Sequence, residues 1–350
     1  MPSIIESSAP GKVILFGEYA VLEGAPSMVL AVDRRARVQL EQISQDASEV
    51  QLHCPGFLDQ PQTLTWNNDQ QLQHQNPSLQ LLLTLCNGLL SKRTVTTLRA
   101  DTWLLTVDTR ELYSTTQKLG LGSSAALTVA LAGLLRQLNE QPLPADKHSW
   151  LELHRLHSLA QGKQGSGIDI AASLLGGASR FINRQQQRCE LETCTLPGGL
   201  QIAFVWTGQS ASTAQYLGSL SHWRRDHPKE YAQHMASLNK ACEQAFAELH
   251  CTTSFLAALD AFTEVLQHFA QSSQLPIFAN GHQVLYDLAA TQPQVIYKPC
   301  GAGGGDLGVA VSDNADSLAS FVAKIAKHGF TTIDLKPDNQ GMRCIAKADL

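Results

Sequence analysis

The chain has 350 residues, of which 43% are hydrophobic and 16% are charged, and its formal net charge is −5 at pH 7. This length predicts two domains, and the hydrophobic fraction excludes wholesale disorder. The net negative charge excludes a global basic field that would attract nucleic acid or an anionic membrane. An anionic small molecule must therefore be bound by a local cluster of donors.

Targeting signals and cysteine usage narrow the location. No apolar run approaches the ~18 residues that a bilayer span requires, and the first residues, MPSIIE, lack the basic start and long apolar stretch of a secretion signal. The eight cysteines are scattered, which is typical of reduced thiols in a reducing compartment. We expect a cytoplasmic monomer or homodimer without a nucleic-acid or membrane partner.

The first part of the chain predicts mainly strands. Residues 12–16 are β-branched and apolar, a Gly-Glu pair at 17–18 interrupts them, and 19–32 is mostly apolar again. Residues 37–43 alternate between polar and apolar, as a half-buried strand does. The Asn- and Gln-rich segment 60–75 is interpreted as a surface loop.

Helices and strands alternate through the rest of the chain. Ser123 and Ser124 precede a helix predicted over 125–138 and would occupy its cap positions. The further predicted elements are a helix over 150–160, a strand over 201–206, a helix with Leu259, Phe262, Leu266 and Phe269 on one face, a strand at 309–311 and a helix at 317–328. This alternation predicts an α+β protein, which we divide at the Leu-Pro-Gly-Gly segment into domains 1–196 and 197–350.

The strongest motif is a turn rich in glycine and serine, with the sequence KLGLGSSAA at 118–126. A glycine turn that leads into a helix offers free backbone N–H groups and the positive end of the helix dipole, and phosphate is the usual ligand of such a site. The serine hydroxyls could cap the helix, bind a phosphate oxygen or ligate Mg²⁺. An isolated Gly-Ser-Ser would be a plain N-cap, but two glycines, a preceding lysine and an alanine-rich helix together favour phosphate binding. The spacing is not that of a Walker loop.

Three weaker motifs accompany this turn. Lys12 follows Pro-Gly at the start of a strand, where it could face a cleft, although a single lysine is usually a solvated surface residue. Asp169 lies between a glycine-rich segment and an apolar helix start, where helix capping is the common role. Residues 301–308 contain Gly303, Gly305 and Gly308 in the dinucleotide-binding spacing, but a strand is predicted to follow them. We therefore interpret this segment as a backbone nest beside a bound substrate or phosphate.

Taken together and in this order, these segments resemble the GHMP kinases, the family of galactokinase, homoserine kinase, mevalonate kinase and phosphomevalonate kinase. The resemblance extends from residue 10 to about residue 310, and its three motifs lie at 10–21, 119–126 and 301–308. It implies an N-terminal domain similar to the ribosomal-protein S5 fold and a ferredoxin-like C-terminal domain. ATP and Mg²⁺ would bind in the cleft between them.

The resemblance also implies roles for individual residues. Lys12 and Asp169 would be catalytic, and Ser124 would be the first metal ligand. The ATP phosphates would be bound by Lys118, Gly120, Leu121, Gly122, Ser123, Ser124 and Ala125. The acceptor would be bound by Tyr19, Ser166, Gly167, Ser212, Gly303, Gly304 and Asp306. One departure concerns the metal: mevalonate kinases carry a Mg²⁺-binding Glu about three helical turns before the catalytic Asp, and this chain has His157-Ser158-Leu159 in that neighbourhood.

Four details are more typical of the phosphomevalonate-directed members of the family than of the mevalonate-directed ones. They are Tyr19 after Gly-Glu, Lys118 before the phosphate turn, Asp306 after the triple glycine, and the two segments 165–172 and 206–213. An additional lysine also suits an acceptor that carries its own phosphate. The sequence therefore predicts transfer of the ATP γ-phosphoryl group to phosphomevalonate, giving diphosphomevalonate. The alternatives are mevalonate kinase, another small-molecule GHMP kinase, or a non-catalytic metabolite-sensing module.

Several other features are interpreted without a functional role. His154 and His157 lack a third metal ligand and are read as a partly exposed helix face. Cys189 and Cys194 have no zinc-like spacing, and Cys300 has no feature that would lower its pKa. The basic segment 223–229 could reach an anionic substrate, but a solvated loop is an equal alternative.

Overall fold

Two β-sheets covered by helices form the part of the chain that the computed structural model describes, residues 3–45, 48–114, 117–184, 188–211 and 213–347. The strands are β1 (Ile4–Phe16), β2 (Ser27–Ser44), β3 (Val50–His53), β4 (Gln62–Trp66), β5 (Leu72–Gln73), β6 (Thr102–Asp108), β7 (Ala178–Arg184), β8 (Arg188–Cys194), β9 (Gln201–Trp206), β10 (Ile296–Pro299), β11 (Leu307–Ser312), β12 (Thr331–Ile333) and β13 (Arg343–Lys347).

The α-helices of the described residues are α1 (Gln80–Leu89), α2 (Lys92–Leu98), α3 (Ser123–Leu138), α4 (Lys147–Gln161), α5 (Ile168–Leu175), α6 (Thr213–Asp226), α7 (Pro228–Ala247), α8 (Thr252–Ser273), α9 (His282–Ala290) and α10 (Ala315–Lys327). Short 3₁₀ helices cover Ala20–Glu23, Pro77–Leu79 and Arg110–Leu112. None of the helices in these ranges is long and apolar enough to cross a lipid bilayer. The predicted α+β class is confirmed.

The larger sheet has the strand order β13-β1-β2-β6-β3-β4-β5, and β7 joins it by pairing with both β2 and β8. Its pairings are antiparallel except that between β3 and β6. Helices α3 and α5 pack against β1 and β2. Twelve of the sixteen residues of α3 are buried, because this helix lies in the centre of the N-terminal core.

The smaller sheet has the antiparallel order β10-β11-β9-β12. Helices α9 and α10 pack on it around Phe321, Ile325 and Leu285, which are all fully buried. Helix α8 buries the predicted face of Leu259, Phe262, Leu266 and Phe269, each at most 1% exposed. These side chains belong to the larger core cluster, in which Phe262 lies against Phe16 of β1, so their burial joins α8 to the N-terminal core.

The chain passes from the larger sheet to the smaller one between β8 and β9, which brackets the proposed division into 1–196 and 197–350. The last strand then returns to the larger sheet, where β13 pairs with the start of β1 from Ile4↔Lys347 to Ser8↔Arg343. A buried ion pair between Arg35 and Asp338 fastens this returning segment to β2. Residues 338–347 therefore pack with the N-terminal core.

Two of the predicted elements are wrong in detail. The 60–75 segment contains β4 and β5 at the edge of the larger sheet, where Leu64 and Leu72 are buried and their neighbours face solvent. The segment has so few apolar residues that their alternation with polar residues is too weak to predict strands. The 19–32 segment is not one strand, because Tyr19 has a φ of 62° and leads into a 3₁₀ helix before β2 begins.

Candidate active site

A cavity of about 1190 Å³ lies where loops from the two halves meet. It is lined by the end of β1, the turn before α3, the start of α5, the segment after β9 and the glycine-rich segment before β11. A volume of this size exceeds the ~300–1,000 Å³ of typical small-molecule sites. Residues from all three sequence motifs, 10–21, 119–126 and 301–308, line this one cavity.

Lys12 reaches this cavity because β1 runs directly beneath the turn before α3. Its backbone N–H donates to Leu121 O at 2.9 Å. A side chain on Gly11 would prevent this approach, since its Cβ would lie 2.8 Å from Leu121 O and 2.7 Å from Leu112 Cδ2. Glycine at this position thus allows the strand to carry the next side chain into the cavity.

The turn before α3 has the geometry of an anion site. Gly120 and Gly122 have φ angles of 74° and 75°, in the left-handed region that favours glycine. The first intrahelical hydrogen bond is donated by Ala125 to Gly122 O at 3.0 Å, so the N–H groups of Ser123 and Ser124 precede it. These amides and the positive end of α3 can bind phosphate oxygens. The amide of Ala125, by contrast, is used within the helix.

The predicted cap positions of Ser123 and Ser124 are wrong. Gly122 is the N-cap and the helix begins at Ser123. Since both hydroxyls lie in the first turn, they line the cavity instead. Leu121 is buried, and it contributes its carbonyl to Lys12.

Lys12 and Asp169 form an ion pair beside this turn. Lys12 Nζ lies 3.6 Å from Asp169 Oδ1 and donates to Gly120 O at 3.3 Å. The lysine side chain is 10% exposed and the aspartate 36% exposed, so the carboxylate is open to the cavity. Asp169 is in the first turn of α5, which favours its negative charge, and Gly167 is the N-cap of that helix.

The Ser124 hydroxyl contacts two side chains of α4. Its Oγ lies 3.0 Å from His157 Nε2 and accepts from Gln161 Nε2 at 2.5 Å. Burial lowers the pKa of His157, although Asp169 opposes this shift. The interpretation as a partly exposed helix face is wrong for His154, which is 2% exposed and stacks on Trp150. His157 is partly exposed, and it lines the cavity.

The glycine-rich segment before β11 closes the other side of the cavity. Tyr19 is buried, and its hydroxyl donates to Ala302 O at 2.6 Å, so it links the turn after β1 to this segment. Asp306 Oδ1 accepts from the N–H of Ala211 at 3.3 Å. Burial raises the pKa of Asp306, and the ammonium groups of Lys12 and Lys118 oppose this rise.

Lys118 is exposed and lines the cavity mouth, where its carbonyl accepts from Ser210 Oγ at 3.0 Å. The 207–211 segment therefore touches both the phosphate turn and Asp306. Ser212, which was predicted to bind the acceptor, lies outside the described residues.

The other predicted acceptor residues occupy two positions. Ser166 and Gly167 line the cavity at the start of α5, and Gly167 O accepts from Trp150 Nε1 at 2.9 Å. Gly303 and Gly304 are buried against Ile277 and Tyr216, where a Cβ would collide with Ile277 O and Tyr216 Oη. These two glycines lie on the side of the glycine-rich segment that faces away from the cavity. Other residues of the segment form the cavity wall.

Sequence reasoning missed three contributors. Glu18 forms a buried ion pair with Lys298 beneath the cavity. Gln161 and Lys163 line the cavity at the end of α4. The spacing of four between His157 and Gln161 places them on one helix face, which was the available signal for a shared contact.

The residues present fit a nucleotide-borne cation better than a resident one. Within the described ranges, no group of three His, Cys, Asp or Glu side chains is placed to hold a metal ion. Mg²⁺ is commonly bound by one or two protein oxygens together with substrate phosphates. Ser124 and Asp169 supply such oxygens at the cavity wall.

The remaining sequence features have structural roles. Burial raises the pKa of the Cys300 thiol to about 12, and the pKa of Cys189 likewise to about 12, so neither is a reactive thiolate. The 223–229 segment is not a loop but the junction of α6 and α7, where Arg224 pairs with Glu23 at 2.8 Å.

Comparison with known proteins agrees with this geometry. Residues 105–177, which include the phosphate turn and Asp169, match the family model described as GHMP kinases N terminal domain. The chain is 29% identical over 354 residues to a phosphomevalonate kinase of Streptomyces sp. (strain CL190), covering 87% of this chain and 89% of that one. It is 25% identical over 363 residues to a mevalonate kinase of Pyrococcus abyssi (strain GE5 / Orsay), covering 98% of both.

The fold is likewise similar to that of a solved structure. The structure of Streptococcus pneumoniae phosphomevalonate kinase in complex with phosphomevalonate and AMPPNP matches with a TM-score of 0.76 at 17% identity, over 95% of this chain and 99% of that one. Residues 105–177 therefore form a GHMP kinase N-terminal domain, and the chain is similar along most of its length to phosphomevalonate and mevalonate kinases.

Proposed function

We propose that this protein transfers the γ-phosphoryl group of ATP to phosphomevalonate and releases diphosphomevalonate. The observation that carries the proposal is the Lys12–Asp169 pair, 3.6 Å apart, beside the Gly120–Ser124 turn in one cavity. Phosphoryl transfer depends mainly on positioning and on neutralising the charge of the transferred group. This cavity combines backbone donors, a lysine and a carboxylate that can supply both.

The phosphate turn would bind the nucleotide. The N–H groups of Ser123 and Ser124, together with the start of α3, would donate to the β- and γ-phosphate oxygens. Lys118 at the cavity mouth would add a positive charge. Mg²⁺, when bound with the nucleotide, would neutralise phosphate charge, and Ser124 and Asp169 are the residues that would hold it.

Lys12 and Asp169 would act on the transfer itself. Lys12 is held by Asp169 and by Gly120 O, so its ammonium is fixed where negative charge develops on the transferred group. Asp169 would orient the acceptor and hold Lys12 in place. A phosphate monoester has a second pKa of about 6 and is mostly ionised at neutral pH, so a phosphorylated acceptor needs little proton removal.

The preference for a phosphorylated acceptor is supported by the charges around the cavity. Lys12, Lys118 and Lys163 line it, which suits two anionic substrates that must approach each other. The relative from Streptomyces, at 29% identity, is a phosphomevalonate kinase. Relatives that are mevalonate kinases, such as that of Pyrococcus abyssi, make mevalonate the second candidate acceptor.

A substrate panel tests the proposal directly. The protein is incubated with ATP, MgCl₂ and one of three acceptors, phosphomevalonate, mevalonate or galactose, and ADP release is measured. We expect turnover with phosphomevalonate and little with the other two. Turnover with mevalonate but not with phosphomevalonate would mean that mevalonate is the acceptor. If AMPPNP binds but no acceptor gives ADP release, the non-catalytic sensing module would be favoured. The cytoplasmic location and the monomeric or homodimeric state remain predictions from the sequence.

A further inference from the structure

The Ser124 hydroxyl lies in a three-membered hydrogen-bonded cluster at the cavity wall. Ser124 Oγ is 3.0 Å from His157 Nε2 and 2.5 Å from Gln161 Nε2, and the two α4 nitrogens are 2.8 Å apart. All three residues line the cavity. The predicted metal ligand is therefore fixed by two side chains for which the proposed reaction has so far given no role.

The chemistry of the three groups decides where their protons lie. Gln161 Nε2 is within hydrogen-bond distance of both partners, and an amide nitrogen can only donate. His157 Nε2 must then be an acceptor, so the imidazole carries its proton on Nδ1. The Ser124 oxygen has two lone pairs, and Gln161 uses one of them. The other lone pair is left for a group in the cavity.

We infer that His157 and Gln161 are positioning residues that orient the Ser124 hydroxyl toward the cation of a bound metal–nucleotide complex. The inference rests on the proposed function, because it requires that a nucleotide binds at the turn before α3. Partners that orient a metal ligand through hydrogen bonds commonly change metal affinity about 10–100-fold when they are removed. The effect should fall on the metal-loaded nucleotide and not on the metal-free one.

Few charged side chains surround the cluster of Ser124, His157 and Gln161. Neither His157 nor Gln161 carries a carboxylate. The acidic group that acts on His157 is Asp169, which also lines the cavity and is already paired with Lys12. Lys163 lies on the same side of the cavity. The carboxylate that the protein offers the cation here is therefore that of Asp169, and Lys12 shares it. A carboxylate in place of His157 would add the hard oxygen ligand that Mg²⁺ and Mn²⁺ prefer.

The test measures Mn²⁺ binding to the full-length protein in the presence of AMPPNP by electron paramagnetic resonance, and binding of metal-free AMPPNP in EDTA by calorimetry. The variants are His157→Leu, His157→Gln and His157→Glu. His148→Leu, an exposed histidine at the start of the same helix, is the matched control. Thermal unfolding of each variant reports on its folding.

We expect His157→Leu to weaken Mn²⁺ binding about 10–100-fold while metal-free AMPPNP binds as in the wild type. His157→Gln, whose amide can accept from or donate to the same partners, should retain most of the affinity, and His157→Glu should exceed the wild type. If the leucine variant does not fold, the comparison of Gln with Glu carries the test.

Two results would overturn the inference. One is unchanged Mn²⁺ binding in a folded His157→Leu protein, and the other is an equal loss of metal-free and metal-loaded AMPPNP binding. Failure of the wild type to bind AMPPNP in either form would instead contradict the proposed function. The two failures are therefore distinguishable in one set of titrations.

Discussion

Lys298 Nζ donates to Glu18 Oε1 at 2.5 Å, and both side chains are 1% exposed. Glu18 belongs to the turn after β1 and Lys298 to β10, so this pair joins the two sheets directly beneath the cavity. The ammonium also donates to Pro299 O at 2.7 Å and lies 5.9 Å from the centre of the Phe262 ring. The glycine-rich segment that follows β10 is thereby held at a fixed place relative to Lys12.

Removing one partner of this ion pair should lower the free energy of unfolding more than removing both partners. Lys298→Met leaves the Glu18 carboxylate buried without its partner, which should lower the free energy of unfolding by about 3–5 kcal/mol. The double variant Glu18→Leu, Lys298→Met buries no charge and should recover most of that loss. Urea denaturation of the single and double variants measures the coupling, with the exposed Lys240→Met as control. Losses that simply add would contradict the coupling.

Lys12→Met should affect the reaction more than nucleotide binding. The ammonium is held by Asp169 and Gly120 O at the turn that would hold the γ-phosphate, so its charge acts where negative charge develops. Removing one such donor commonly lowers kcat about 10²–10³-fold. Steady-state kinetics with the active acceptor and calorimetry with AMPPNP separate the two effects. Unchanged turnover in Lys12→Met would remove Lys12 from the mechanism.

Asp169→Asn distinguishes the two candidate acceptors. An alcohol must lose its proton in or near the transition state, and general-base assistance contributes about 10²–10⁴ to the rate. A phosphate monoester is mostly ionised at neutral pH, so its transfer needs no such assistance. With phosphomevalonate as the acceptor, we therefore expect Asp169→Asn to lose less kcat than it would with an alcohol. The pH dependence of kcat should be the same in the wild type and in Asp169→Asn. Loss of the acidic limb, the fall in kcat at low pH, from the pH–rate profile of the asparagine variant would indicate proton removal by Asp169.

Local patterns predicted those parts of the site in which neighbouring residues carry the signal. The glycine–serine turn could be recognised from its sequence because Gly120 and Gly122 need left-handed backbone and Ser124 follows them at the start of a helix. The α+β class followed from the alternation of strands and helices. The place of Lys12 after Pro-Gly left open whether it faces a cleft or solvent, and only the structure shows that Gly11 permits contact with Leu121.

Contacts between distant segments could not be predicted in the same way. Glu18 and Lys298 are 280 residues apart, and either alone reads as an ordinary surface charge. The return of β13 to β1 depends on backbone pairing at a sheet edge, for which the side chains give little signal. The sequence shows only that His157 lacks a third metal ligand, because its contact with Ser124 joins positions 33 residues apart.

Gly120→Ala should weaken nucleotide binding. The φ angle of Gly120 is 74°, and a Cβ there would lie 2.6 Å from the Cβ of Asp306. Since both the backbone and the opposing segment would have to shift, we expect a loss of at least about 1 kcal/mol in stability and a weaker affinity for AMPPNP. Gly198→Ala, at a glycine with open space around it, is the matched control. Equal AMPPNP affinity in the two variants would show that the turn tolerates a side chain and is not the nucleotide site.

The glycine-rich segment also depends on a neutral histidine. His282 is fully buried, with Nε2 2.9 Å from Gly305 O and Nδ1 2.8 Å from the Tyr297 hydroxyl. The Nε2–H donates to the carbonyl in either protonation state, whereas Nδ1 can accept from the hydroxyl only while the ring is neutral. Burial lowers the pKa of His282 to about 4 from an ordinary value of 6.5.

This shift predicts a loss of stability in mild acid. Between pH 6.5 and about 4 the unfolded chain binds a proton at His282 that the folded chain does not bind, so the stabilising contribution is complete above pH 6.5 and falls as the pH decreases through this window. His282→Gln cannot titrate but keeps a donor for Gly305 O. Between pH 7.5 and 4.5, urea denaturation should therefore show about 2–3 kcal/mol more loss in the wild type than in this variant. His148→Gln, at an exposed position, should behave as the wild type. If the wild type and His282→Gln lost equal amounts of unfolding free energy, the buried ring would be protonated as readily as a free one. The claim that a neutral His282 contacts Gly305 would then be wrong.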